Sequence, residues 1–129
     1  THENVVDYSG ATPEFMAFMK NQLGSSFKMV LDIKQARRAK ADIKQFIDAI
    51  GENIVHVHLS DCDRKRDCIP PGENGLFDFK ELFTLLHRVG YKGRYIVELY
   101  SDSFNDVNEI VESTVYLQHI LKEVKEGRV

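Results

Sequence analysis

The stretch "IVHVHLSD", residues 54–61, decides how the rest of the chain is read. Its apolar residues fall on both faces of an extended segment, the pattern of a parallel strand covered on both sides rather than of a sheet with one wet face. His56 and His58 stand two apart and share a face, because strand side chains alternate with period two. The pair is either core filler or part of a site. The acids and bases that follow at once, "DCDRKRD" at 61–67, place a polar loop beyond the strand.

Working outward, the same kind of strand recurs. "KMVLD", Lys28 to Asp32, and "YIVEL", Tyr95 to Leu99, are short apolar runs that each carry an acid at or near the end. Helical patterns lie between and around them. Thr12 as N-cap and Pro13 at the first helical position open a helix to about Leu23, with Phe15, Met16, Phe18 and Met19 as its apolar stripe and Gly24 as its stop. Asp42 to Ile50 repeats the spacing with Ile43, Phe46, Ile47 and Ile50, and Gly51 ends it. Asp61 to Phe77 holds Pro70, Pro71, Gly72 and Gly75 and reads as a long loop of the kind that carries function. Asp78 caps a helix to about Val89 whose buried face is Phe79, Leu82, Phe83 and Leu86, stopped by Gly90. Phe104 to about Glu126 is the last helix, with Val107, Ile110, Val111, Thr114, Leu117, Ile120, Leu121 and Val124 as its apolar side. The phenylalanines at 15, 18, 46, 79 and 83 are expected in the core.

Strands alternating with helices imply an α/β fold with a parallel sheet. Three strands and an N-terminal stub cannot close a barrel, and they leave two sheet edges exposed. The expectation is a partial barrel, about half of a (β/α)8 TIM barrel, forming one unit over residues 1–129. The start at Thr1, with no initiator methionine, is expected of a processed or truncated piece.

Composition narrows the partners. With 129 residues, 43% hydrophobic and 29% charged, the chain has material for one modest core. A net charge of -3, with basic residues scattered among acids, points to neither nucleic acid nor a membrane surface. Nothing in these residues resembles a signal peptide or an apolar stretch long enough to span a bilayer. Cys62 and Cys68 are expected as free thiols, and the cytoplasm as the location.

The chemistry gathers at the strand ends. Asp32, His58 and Glu98 close the three strands, and Glu3 sits where a strand before the first helix would end. In parallel α/β folds, and above all in barrels, the carboxyl ends of the strands converge on the active face. Any one of these acids alone is most often a loop acceptor or a helix cap. Four ligand-type residues at four successive strand ends make a pattern. Three carboxylates with one imidazole suit a divalent ion of the Mn, Mg or Co kind, with Zn also admissible, better than a thiolate zinc site. His56, one layer deeper, is expected to support His58, and Asp61 to stand beside it at the rim.

The ordered motifs "HEN", "LDIKQA", "VHVHLSD", "PPGENGLFDFKELF" and "GYKGRYIVEL" resemble the carboxyl-terminal half of the sugar phosphate isomerase/epimerase superfamily, the xylose isomerase-like TIM barrels. The resemblance covers almost the whole chain. It implies that Glu3, Asp32, His58 and Glu98 are the four ligands of one divalent metal, on the fifth to eighth strands of the barrel. It also implies that Glu3 and Glu98 are the catalytic acid/base pair, and that Arg64, six after His58, binds a substrate oxygen. Many members carry a histidine three after the metal-binding aspartate; here stands Gln35, which can hydrogen-bond substrate but cannot titrate near neutral pH. Cys68 falls near a histidine of some members, and the usual Pro-Gly-Glu-Gly turn is here Pro71-Gly72-Glu73-Asn74-Gly75. The implied function is a metal-dependent sugar isomerase or epimerase acting on a small-molecule sugar by proton transfer beside a carbonyl. Two other readings stand beside it. One is an inactive half barrel that self-associates, as a homodimer, through its exposed sheet edges. The other is an endonuclease IV-like metal-dependent phosphodiesterase, disfavoured because the extra ligands of a trinuclear zinc site are not evident.

Overall fold

A computed structural model of the chain describes residues 1–127. Four parallel strands, β1 (His2–Glu3), β2 (Met29–Asp32), β3 (Ile54–Leu59) and β4 (Arg94–Val97), lie side by side in chain order. Five α-helices follow the same order: α1 (Pro13–Leu23), α2 (Ile33–Arg38), α3 (Ile43–Ile50), α4 (Phe79–Arg88) and α5 (Val107–Lys125). The fold is α/β, a partial TIM barrel.

Local chemistry sets most of the helix boundaries. Thr12 Oγ1 accepts from Phe15 N at 3.2 Å, and Asp78 Oδ1 accepts from Glu81 N at 2.9 Å, each satisfying an amide that the helix itself leaves unpaired. Asp106 and Glu109 form a reciprocal capping box at the start of α5. Gly24 and Gly90 follow α1 and α4 in the left-handed region, at φ 60° and 77°. Gly51 works differently: its φ is -51°, α3 runs on into a short 3-10 turn, and an added Cβ would meet Val89 Cγ2 at 3.0 Å. It is a point of close approach to the end of α4 rather than a left-handed stop.

The core lies between the sheet and the helices. Met29, Leu31, Val57 and Leu59 pack with Met16, Phe46, Ile47, Ile50, Phe79, Leu82, Phe83 and Leu86, all of them buried. The opposite sheet face carries Val30, His56, His58 and Ile96, joined laterally by the register Val30 to His56 and His58 to Ile96. Ile96 is 48% exposed. The expectation of strands buried on both faces therefore fails on this side. In a closed barrel the inner face is filled by side chains of the opposing strands, and four strands do not supply them.

Two apolar stripes are corrected in the same way. Phe46, Phe79 and Phe83 are core, but Phe15 is only half-buried and Phe18 is 57% exposed; in α1 only Pro13 and Met16 are buried. In α5, Leu117 and Val124 are buried, whereas Val107, Val111 and Thr114 are exposed. Helical spacing locates a stripe, but how wide a stripe is covered depends on the neighbours that pack on it.

Candidate metal centre

Because all four strands run the same way, their carboxyl ends meet at one edge of the sheet. Glu3 ends β1, Asp32 ends β2, His58 is the penultimate residue of β3, and Glu98 follows β4, its amide donating to Leu59 O at 2.9 Å. His58 Nδ1 lies 3.0 Å from Glu98 Oε2, 3.6 Å from Asp32 Oδ2 and 4.0 Å from Glu3 Oε1. One ligand-type atom from each of Glu3, Asp32 and His58 falls within 4.8 Å of the others. The structure brings together all four residues singled out at the strand ends.

The orientation of these groups says more than their proximity. Asp32 is fixed on three sides: its Oδ1 accepts from Gln35 N at 3.0 Å as the N-cap of α2, its amide donates to Asn4 Oδ1 at 2.7 Å, and its carbonyl accepts from Asn4 Nδ2 at 3.0 Å. Asp32 Oδ2 is left buried with no hydrogen-bond partner among the described residues, and so is His58 Nδ1. Leaving a buried acceptor unpaired costs about 1–3 kcal/mol, and more for a charged one. Two such atoms facing each other, with carboxylates on either side, form a donor set that fits a divalent cation. Among the carboxylates, Glu3 is pushed above the ordinary range, first by burial and then by the nearby Asp32 and Glu98, against the pull of His58. The cluster crowds negative charge that a cation would relieve.

Residues 2–120 match the family described as the xylose isomerase-like TIM barrel. The chain belongs to this family. Among solved structures it is similar to a D-tagatose 3-epimerase-like protein, with a TM-score of 0.76 and 25% identity over 98% of this chain and 48% of that one. It also resembles a xylose isomerase domain-containing protein from Salmonella typhimurium LT2 (TM-score 0.67, 23% identity, 85% of this chain and 44% of that one). A third likeness is to the apo form of 3-keto-D-glucoside 4-epimerase, YcjR, from E. coli (0.71, 20%, 91% and 44%). No curated protein matches the sequence. The chain spans about half the length of these solved structures.

On this xylose isomerase-like half barrel the other singled-out residues take distinct places. His56 packs edge-on against His58, with ring centroids 5.2 Å apart and planes at 86°. Burial, then His58 and Arg94, hold its pKa below the usual histidine value, which favours a neutral ring. Gln35 accepts from Val6 N at 3.1 Å through Oε1, so its carbonyl oxygen ties down the segment after β1. Arg64 is exposed on the loop beyond β3, whose turn is organised by Asp63 accepting from the amides of Lys65 and Arg66 at 2.9 and 2.7 Å.

Asp61 does not stand at a rim. It is 0% exposed, and its carboxylate accepts from Cys62 N at 2.8 Å, Phe77 N at 3.0 Å and Gly72 N at 3.2 Å. It is the internal hub of the long loop, accepting from three part-buried amides of that loop. Gly75 approaches it so closely that any added Cβ would collide with the carboxylate.

Two residues at the centre carried no signal strong enough to single them out. Asn4 is fully buried and joins the ends of β1 and β2 through the two bonds to Asp32. Lys34, 2% exposed, sends Nζ to within 3.3 Å of Glu98 Oε1 and lies 4.4 Å over the Tyr100 ring. Burial disfavours its ammonium, but Tyr100, Asp32 and Glu98 together hold its pKa above the ordinary value. Only the order of "EN" and "DIK", each just after a strand-end acid, hinted at either.

Proposed function

We propose that this chain is the carboxyl-terminal half, roughly strands five to eight, of a metal-dependent sugar isomerase or epimerase. The observation that carries the proposal is a pair of buried atoms, Asp32 Oδ2 and His58 Nδ1, that have no hydrogen-bond partner among the described residues and lie 3.6 Å apart between the carboxylates of Glu3 and Glu98. Glu3, Asp32, His58 and Glu98 would hold a divalent ion, with Mn, Mg or Co favoured by the oxygen-rich set and Zn admissible. When bound, such an ion polarises a ketose carbonyl and the hydroxyl beside it.

The side chains do the proton work. Glu3 and Glu98 come from the two outermost strands of this sheet, so they approach a substrate carbon from different sides. One removes the carbon-bound proton and the other returns a proton, which inverts or relocates the stereocentre. His56 supports the His58 ring. Arg64 and the amide nitrogen of Gln35 donate to substrate oxygens. The working location is the cytoplasm, and neither a nucleic acid nor a membrane is a partner.

The test uses the natural full-length protein with a panel of ketoses in deuterated water. Deuterium is expected at the carbon beside the carbonyl, and Glu98→Gln is expected to lower turnover by about 100-fold or more. Turnover unchanged in Glu98→Gln, or cleavage of abasic DNA in place of ketose conversion, contradicts the proposal.

A second reading rests on a separate observation. The β1 and β4 edges are open, and Val107, Val111 and Val115 form an exposed stripe at helical spacing, 67%, 55% and 61% exposed. An isolated chain of this kind would pair with a second copy through those edges, and analytical ultracentrifugation distinguishes the dimer from a monomer.

A further inference from the structure

Lys34 is a buried ammonium for which the chemistry above has no use. It sits in the first turn of α2, two residues after Asp32, and is 2% exposed although it belongs to the residue type least often found inside. A charge so placed needs a partner of opposite sign. Its partner is Glu98, and the contact is specific to one oxygen: Oε1 lies 3.3 Å from Lys34 Nζ, while Oε2 lies 3.0 Å from His58 Nδ1.

Glu98 needs such a constraint. It follows the end of β4 and its side chain is 41% exposed; its amide donates to Leu59 O and its carbonyl accepts from Cys68 Sγ at 3.9 Å, and neither contact fixes the side chain. A glutamate in that setting loses considerable rotamer freedom when fixed, so a single orientation must be enforced by its neighbours. Lys34 can enforce it because Lys34 is itself held. The Tyr100 ring lies under its Nζ at 4.4 Å, and Arg38 Nη1 donates to the Tyr100 hydroxyl at 3.2 Å, which holds the ring by its polar end. The protonated amine has three donors and no lone pair, so it cannot itself be a ligand.

Building on the reading of the strand ends as a cation site, we infer that Lys34 is a positioning residue for Glu98. It engages Oε1 and leaves Oε2 alone to face His58 and the centre. The helix that Asp32 caps thus reaches across β3 and sets the carboxylate delivered by β4. Two of the four strand-end groups are oriented by the first turn of α2.

The experiment is a set of Mn2+ titrations on the natural full-length protein, by calorimetry and by electron paramagnetic resonance of the bound ion. Lys34→Met removes the ammonium while filling its space. It is expected to weaken Mn2+ binding by about tenfold or more, the usual effect of losing a group that orients a ligand, and to alter the resonance of the residual complex. In a Glu98→Gln background the same substitution is expected to add nothing, because Lys34 acts through Glu98. Should Lys34→Met fail to fold, Tyr100→Leu, at a 45% exposed position, removes the platform under the ammonium. It is expected to weaken binding several-fold, again only when Glu98 is present. Unchanged or tighter binding in these variants, or losses that add in full to that of Glu98→Gln, overturns the role of Lys34 and leaves the cation site standing. Absence of Mn2+ binding by the unsubstituted protein overturns the cation site, and this inference with it.

Discussion

At the scale of single residues, the four strand ends are useful because each group is aimed as well as near. Asn4 shows how this is done: one amide side chain bonds the backbone of Asp32 on both sides of its Cα, so the β1 and β2 ends move together. Asp61 does the equivalent for the long loop, and it yields two predictions. Asp61→Ala leaves three part-buried amides without their acceptor, and at about 1 kcal/mol for each it is expected to cost about 3 kcal/mol, read from urea unfolding. Gly75→Ala drives a methyl group into that carboxylate and is expected to expose the 61–77 segment to limited proteolysis while the secondary structure, followed by circular dichroism, persists. Rapid cleavage confined to the loop supports the hub; resistance equal to that of the natural chain contradicts it.

At the scale of elements, the parts legible in the sequence were those with local chemistry. Thr12, Asp78 and Gly90 mark helix ends through their own side chain or backbone, and each stands where it was expected. The face of α4, Phe79, Leu82, Phe83 and Leu86, is buried as its spacing predicts. Four strand-end residues were legible because parallel topology alone brings them together. The helix α2 was not, since six residues beginning at Ile33 carry too short an apolar pattern, and its cap, Asp32, already reads as the end of a strand. Lys34 and Asn4 were hidden for the related reason that burial of a polar residue depends on partners distant in the chain. Asp78→Ala is expected to lower stability by about 1 kcal/mol, measured as a drop in the urea midpoint without a change in slope. Leu86→Ala, at a fully buried position, is expected to cost about 2–5 kcal/mol by the same measurement.

At the scale of the whole molecule, one side of the sheet is a packed core and the other is open, and the two sides differ in their chemistry. On the packed side, Tyr95 sits between Phe83 and Tyr91, at ring-centroid distances of 4.9 and 5.3 Å. Burial pushes the Tyr91 hydroxyl up to about 12, and burial together with Tyr91 pushes that of Tyr95 higher still. The folded state therefore holds these protons more tightly than the unfolded chain does. Their contribution to stability is complete below the ordinary tyrosine value near 10 and is lost as pH rises toward and beyond about 12. An absorbance titration at 295 nm is expected to show these two phenols ionising late, together with loss of helix signal. On the open side lie the four converging strand ends, whose claim to form one cation site is the centre of this account. The most direct measurement is calorimetric titration of the natural full-length protein with Mn2+, repeated for Asp32→Ala and His58→Ala. One ion bound per chain is expected, with a loss of affinity of at least about 100-fold in each variant, since each removes a buried atom at the strand ends that has no hydrogen-bond partner among the described residues. Binding of equal strength in the variants, or none in the unsubstituted protein, would contradict it.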